Sequence, residues 1–531
     1  MSDQKRWILP LSGGILASLA WWGAPVIVLL ICFVPLLIVE DDVSRQNEHP
    51  VSLLPFSFAF FFFWNLIVCW WMARIHLAGG LAVIFINAVL MSLVFMLFSV
   101  IKRKTGGTAF SFVVLWTAFE FLHYHGDLSW PWLSLGNGLA GNIKLIQWYE
   151  YTGTTGGSLW VLVVNTMVFS IIKSLQMPYR RKRIIILASL LLLITALPAA
   201  FSYYLYHSYI IRKDPVEFLI IQPGLDPYED KFSGKSNEGR ADQMFALAGK
   251  KISNDTRYII SPETAVDSIW ITGPPDPVNQ KIQDFINNYP GKGMLVGATT
   301  FSSVPRKGKT FTSRVDDDGT FYDIYNSALL FVAERPPEVY HKHYLANGVE
   351  QVPFQSVLGF MDRLFVDAGG ISGGLKKGPG REVFKSPLSD STVIGPLICF
   401  ESAYGEYAAG LTAMGAEILV IISNDGWFKN TGAYRQHLRL SQIRAVETRR
   451  SVVRAANTGI SCHIAATGQI TEQTDWWEEA VLEVTANKND RITIFTVYGD
   501  YPGRISLFFS GLMLLNLLAV TILRRKTYKR L

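Results

Sequence analysis

The sequence predicts a multi-pass α-helical membrane bundle joined to a layered α/β domain outside the bilayer. Three observations carry that expectation. Half of the 531 residues are hydrophobic and only 17% are charged, against about a quarter in soluble chains. The apolar residues gather into long runs up to Tyr206 and again from Ile505. Between them, from about Pro215 to Tyr498, short β-favouring segments alternate with helical stretches, the pattern of strands layered with helices.

A bilayer core of about 30 Å takes about 20 apolar helical residues. Eight candidate spans follow in order: Trp7–Trp22, Ala24–Val39, Val51–Ala73, Ala78–Ile101, Thr108–Leu122, Ser158–Ile172, Ile184–Tyr206 and Ile505–Leu523. The first two are short and joined by Gly23, which suits a hairpin or one bent span better than a cleaved leader. Basic residues fall on one side of this plan: Lys5, Arg6, Arg45, Lys102 to Lys104, Lys173, Arg180 to Arg183 and the tail from Arg524. The intervening loops offer little beyond Arg74 and Lys144. The positive-inside rule then puts both termini in the cytoplasm. Seven helices occupy 1–206, an outer domain 207–504, and an eighth helix with a basic tail 505–531. The net charge of +6 is thus a topology signal, and no basic stripe with interleaved aromatics marks a nucleic-acid surface. Four cysteines are too few for a disulfide framework, and Cys32 and Cys69 lie in apolar runs as packing residues. Glu120 ends an apolar span beside His123 and His125; an acid there is a functional candidate by default, but these neighbours place it at the interface.

In the polar part, VEFLIIQ, TRYIISPE, MLVGATTF, YNSALLFV, STVIGPLICF and AEILVIISND read as strands, and Tyr434–Ser451 as a helix with a partly apolar face. Gly369–Gly380 is a loop, preceded by an apolar arm at Phe360, Met361, Leu364 and Phe365. Three segments end in reactive groups: Glu263 in RYIISPETA, Lys342 in EVYHKHYL and Cys399 in VIGPLICFESA, with Glu401 two positions later. A thiol where a buried strand breaks into a turn is rigid behind and open in front, as a nucleophile needs. Its alternatives are inert packing and a disulfide with Cys462 of TGISCHIAA. Glu263 reads as a solvated turn residue or, once buried, a general base. Lys342 stands between His341 and His343, but no third ligand follows at metal-site spacing, so no metal is expected. A lysine beside a reacting thiol lowers the thiol pKa and stabilises an oxyanion.

SPETA, YHKHYL and ICFES, in that order and context, resemble the nitrilase superfamily. The run from Ser423 to Ser461, SNDGWFKNTGAYRQHLRLSQIRAVETRRSVVRAANTGIS, and PWLSLGN at Pro131 to Asn137 resemble its membrane-embedded branch, the bacterial apolipoprotein N-acyltransferases. The resemblance implies an αββα nitrilase-like domain set between inner-membrane helices, facing the periplasm, with no cofactor. It implies a ping-pong transfer: Cys399 takes an acyl chain from a phospholipid as a thioester, and the α-amino group of a diacylglyceryl apolipoprotein then receives it. Glu263 would be the base and Lys342 the oxyanion partner. Glu350 and Glu401 would orient Lys342 or the attacking amine. Trp427, in NDGWF, would line the acyl pocket or pack; His437 and Gln436 would be structural or line the substrate. The sequence departs from the family's pattern at Phe400, where an aromatic hydroxyl is usual, at Phe232, where a tryptophan is common, and in LANGVE after Lys342. A monomer is expected, with the bilayer and the two lipid substrates as partners.

Two other readings compete. A membrane-tethered amidase would use water as the second nucleophile, but gains nothing from so many spans. A scaffold or transporter would be catalytically silent, yet Glu263, Lys342 and Cys399 are all present and no matched half-repeats of broken helices appear.

Overall fold

The computed structural model describes residues 1–75, 77–228, 236–273, 275–351 and 374–528. Phe232 and the apolar arm Phe360–Phe365 lie outside the described residues. The chain forms two compact units, one of 1–208 with 498–531 and one of 209–497.

The first unit is helical. Among the described residues, five of its helices are long and apolar enough to cross a membrane: Pro50–Cys69, Leu77–Thr105, Tyr149–Leu175, Arg181–Ser208 and Tyr501–Arg524. The other expected spans form shorter helices, Asp3–Leu19, Ile27–Ile31 followed by Val34–Arg45, and Phe110–His125. Sixteen residues of helix reach about 24 Å, short of the hydrocarbon core. One end of this unit carries its charge. Lys102 pairs with Glu40 and Lys173 with Asp41. Arg6 and the terminal ammonium of Met1 both hold Asp42, at 2.8 and 3.1 Å, and Arg524 donates to the Lys104 carbonyl at 3.1 Å. Glu120 is buried within the unit, its Oε1 accepting from Trp116 Nε1 and from Leu135 N, both at 2.9 Å.

The second unit is an α/β sandwich. Its strands are β1 Pro215–Gln222, β2 Thr256–Ile260, β3 Val266–Thr272, β4 Gly293–Val304, β5 Arg314–Val315, β6 Phe321–Val332, β7 Arg335–His341, β8 Phe384–Lys385, β9 Val393–Ile398, β10 Ile418–Ser423, β11 Ser451–Ala456, β12 Cys462–Ile464, β13 Ile470–Gln473 and β14 Ala480–Asn487. One sheet runs β14-β1-β2-β4-β6-β5, with β3 on β4 and β7 on β6; the other runs β13-β12-β11-β10-β9-β8. Helices Asn237–Gly249 and Pro277–Asn287 bury Leu247, Val278 and Ile282 against the first sheet with Leu219, Ile259 and Val296. Helix Ala433–Thr448 serves the second sheet in the same way. The parallel trio β9, β10 and β11 is buried on both faces, and ILVIIS and VIGPLI read accordingly as unbroken apolar runs. Pro396 is tolerated because β8 pairs only with Val393 and Ile394, leaving no ladder bond for its missing N–H. The sheets face each other across polar clasps such as Tyr340 to Glu401 and Ser461 to Gln222.

Candidate active site

Three strand ends deliver three reactive side chains. Glu263 follows β2, Lys342 is the residue after β7, and Cys399 is the residue after β9. Close packing beneath Glu263 fixes the first: β4 passes at Gly297, whose carbonyl accepts from Ala265 N at 2.8 Å. A side chain there would meet the Pro262 carbonyl at 2.2 Å. Lys342 is tied through its own backbone, its N–H to the Asn326 carbonyl and its carbonyl to Gly378 N, both at 2.8 Å.

The Lys342 ammonium is buried between two carboxylates. It donates to Glu263 Oε1 at 3.0 Å and to Glu350 at 2.9 Å. Asn326 on β6 bridges the same two acids, its Nδ2 donating to Glu263 Oε1 at 2.7 Å and to Glu350 Oε1 at 2.8 Å. Glu263 Oε2 accepts from Asn424 N at 2.9 Å, and Glu350 Oε2 from Ala346 N at 2.8 Å. Burial works against the Lys342 charge, but Glu263, Glu350 and Cys399 hold it well above the usual lysine range, so it stays an ammonium. A lone buried ion would be prohibitive; an ion with two acids and saturated backbone bonds is stable.

Cys399 is half-buried and free, as are Cys32, Cys69 and Cys462, so the disulfide alternative does not form. Its φ is +50°, a left-handed backbone that L residues rarely adopt and a mark of strained nucleophile turns. Burial pushes its thiol up, Glu263 and Asp425 add to that, and Lys342 pulls it down; the balance lies above the ordinary thiol range. The resting group is therefore S–H, and the charges of Glu263 and Lys342 reach it.

Glu401, which the family resemblance offers for orienting Lys342 or the attacking amine, lies between the two strand ends. It makes no bond to the Lys342 ammonium; its oxygens accept from His343 N at 2.7 Å, Ile398 N at 2.8 Å and Tyr340 OH at 2.8 Å. It thus pins the backbone after Lys342 to the backbone before Cys399. Burial pushes it up to about 7 against the pull of those donors. Phe400 is buried edge-on to Tyr404, ring centroids 5.6 Å apart. Trp427 is half-buried edge-on to Tyr228 at 5.2 Å. His437 and Gln436 are buried on the Ala433–Thr448 helix. His437 faces Asp425 and the Cys399 carbonyl. His341 and His343 bond Ser327 and the Gly378 carbonyl, and among the described residues no three His, Cys, Asp or Glu side chains group to hold a metal.

Sequence reasoning missed Asn326, Asp425 and Arg454. Asn326 was legible as the polar residue opening the apolar run of YNSALLFV, and Arg454 as the charge inside SVVRAA. Each is a buried polar group in an apolar strand, which demands a partner.

Residues 13–167 match the model of the apolipoprotein N-acyltransferase N-terminal domain, and residues 298–492 that of the carbon-nitrogen hydrolases. An apolipoprotein N-acyltransferase of Chlorobaculum tepidum is 26% identical over 96% of this chain and 96% of its own. One of Haemophilus influenzae is 24% identical over 99% of this chain and 97% of its own. The solved structure of Saccharomyces cerevisiae Nit3, a member of branch 10 of the nitrilase superfamily, covers 56% of this chain and 97% of its own, at 16% identity and a TM-score of 0.37.

Proposed function

The chain belongs to the apolipoprotein N-acyltransferase family, and we propose that it moves an acyl chain from a membrane phospholipid to the α-amino group of an apolipoprotein's diacylglyceryl-cysteine. The observation that carries this reading is the buried Glu263–Lys342–Glu350 cluster beside a half-buried cysteine on a left-handed turn. Cys399 is protonated at rest, so attack requires a base; the charges of Glu263 and Asp425 both reach the thiol, and Asp425 is taken up by Arg454 and His437, which leaves Glu263 for that role. In the first step the thiol sulfur bonds the ester carbonyl carbon while Glu263 takes the thiol proton. Lys342 has three N–H groups; two point at carboxylates, and the third serves the oxyanion. Collapse breaks the ester C–O bond, Glu263 returns the proton to the leaving alkoxide, and a lysophospholipid departs. In the second step the amine nitrogen attacks the thioester, Glu263 takes its proton, and as the C–S bond breaks Glu263 passes that proton to the leaving sulfur, which leaves an amide, the regenerated thiol and the free carboxylate.

Both substrates are lipid-anchored. A domain held at the headgroup plane meets them without drawing an acyl chain into water, which costs about 0.8 kcal/mol per CH₂. We therefore also place both termini in the cytoplasm and the 209–497 unit on the periplasmic face of the inner membrane. The test is to incubate the purified protein with phosphatidylethanolamine bearing a labelled acyl chain and to look by mass for an adduct on Cys399. The adduct should form on the wild type and vanish in Cys399→Ala. Amide formation on a diacylglyceryl peptide at the wild-type rate by Cys399→Ala would falsify the thioester, and release of free fatty acid in place of amide would favour a hydrolase.

A further inference from the structure

Behind the nucleophile lies a buried polar chain that the reaction just described does not use. The Cys399 carbonyl accepts from Ser402 Oγ at 2.8 Å and faces His437 Nε2 at 3.1 Å. Ser402 gives its only hydroxyl proton to that carbonyl, so His437 Nε2, also 3.0 Å from Ser402 Oγ, confronts two oxygens and donates. At the other side of the ring, Nδ1 lies 2.9 Å from Asp425 Oδ1 and 3.3 Å from Arg454 Nη2, so the Asp425–Arg454 pair together fixes the ring. Asp425 is itself anchored, by Arg454 on β11 and by Ser423 Oγ at 2.6 Å. His437, Asp425 and Arg454 are each 1% exposed or less.

We propose that His437 is a positioning residue for the nucleophile: held by Asp425, its imidazole clamps the Cys399 carbonyl and keeps that residue in its left-handed conformation. The proposal rests on the reading of Cys399 as the attacking group. A left-handed cysteine is unfavourable unless its surroundings over-determine it. One carbonyl receiving two donors, one of them braced by an ionised chain, does so. Without the clamp the turn relaxes and the thiol swings away from Glu263 and Lys342, so the attack slows while lipid binding does not change.

The test separates the two ring nitrogens. In His437→Gln the amide nitrogen can stand where Nε2 stood; in His437→Asn the amide reaches only as far as Nδ1, keeps Asp425 and loses the carbonyl. The readout is the rate of adduct formation on Cys399 from phosphatidylethanolamine in mixed micelles, as a function of lipid concentration, with thermal midpoints measured alongside. His437→Asn should slow the saturated rate about 100-fold and His437→Gln less than about 5-fold, with the half-saturating lipid concentration moved less than about 2-fold in both. Ser402→Ala removes the other donor without touching Asp425 and should slow the rate about 10-fold. Equal rates in the Asn and Gln variants, or rates that merely follow the thermal midpoints, overturn the clamp. So does an unchanged rate in Ser402→Ala, which decides the matter if the His437 variants do not fold. A wild type that forms no adduct on Cys399 sinks the nucleophile instead, a result distinct from all of these.

Discussion

Glu401 shows how one carboxylate is divided between stability and placement. Four donors hold it, from His343 N, Tyr344 N, Ile398 N and Tyr340 OH, and burial still lifts it to about 7 from the ordinary carboxylate range near about 4.3. The folded chain therefore binds this proton more tightly than the unfolded one. Its contribution to stability is full below the ordinary range and is lost as pH rises toward the lifted value. Glu401→Gln cannot titrate, and its amide N–H₂ confronts an N–H that the carboxylate accepted. The variant should start less stable, by a few degrees in Tm, and lose less than the wild type does between about pH 5 and about pH 8. Thermal denaturation in detergent across that range checks this; parallel curves would show that Glu401 keeps one charge state throughout. The family resemblance made Glu350 and Glu401 both candidates for orienting Lys342 or the attacking amine. Only Glu350 reaches the ammonium, because which atoms a carboxylate meets is set by how the sheets stack and not by its distance along the chain.

At the scale of elements, the site exists because three strands from two sheets end at one place. The strands that carry Glu263 and Cys399 were legible, since buried parallel strands read as apolar runs ending in a polar residue. The two-residue strands β5 and β8 and the exposed β13 were not, because their residues have no apolar pattern and pair only where the sheet edge presents itself. The crossing of β4 beneath Glu263 was equally invisible, yet it makes a sharp prediction. An added methyl at Gly297 would sit 2.2 Å from the Pro262 carbonyl and 2.7 Å from Glu263 Cα, so backbone must move. Gly297→Ala should cost about 1–3 kcal/mol of stability and, by shifting the base, slow adduct formation on Cys399 about 100-fold. A variant that loses stability but acylates at the wild-type rate would show that Glu263 tolerates the shift.

For the molecule as a whole, the parity of the membrane crossings decides on which side the chemistry occurs. Five helices reach spanning length, and five crossings alone would leave the termini on opposite sides. The helical unit argues otherwise. Its N-terminal ammonium, Lys102, Lys173 and Arg524 all meet partners in one charged zone of Asp42, Glu40, Asp41 and the Lys104 carbonyl. The helices Leu77–Thr105 and Tyr149–Leu175 both end in that zone, at Lys102 to Lys104 and at Lys173, so they run in the same direction. If both cross the bilayer, the proposed topology takes the Phe110–His125 helix as the crossing between them. At about 24 Å it would span with local thinning of the bilayer or polar ends drawn into the interface. The same reasoning asks the N-terminal helices for one returning hairpin. The topology proposed above, an even count with basic residues inside, puts the 209–497 unit outside. In spheroplasts, Val315→Cys, which is more than half exposed, should react with a membrane-impermeant maleimide, whereas Ser2→Cys should react only after lysis. Labelling of Ser2→Cys in intact spheroplasts would make the count odd and remove Phe110–His125 or one of the N-terminal helices from the spans, whereas labelling of Val315→Cys only after lysis would turn the active site toward the wrong leaflet for its lipoprotein substrate.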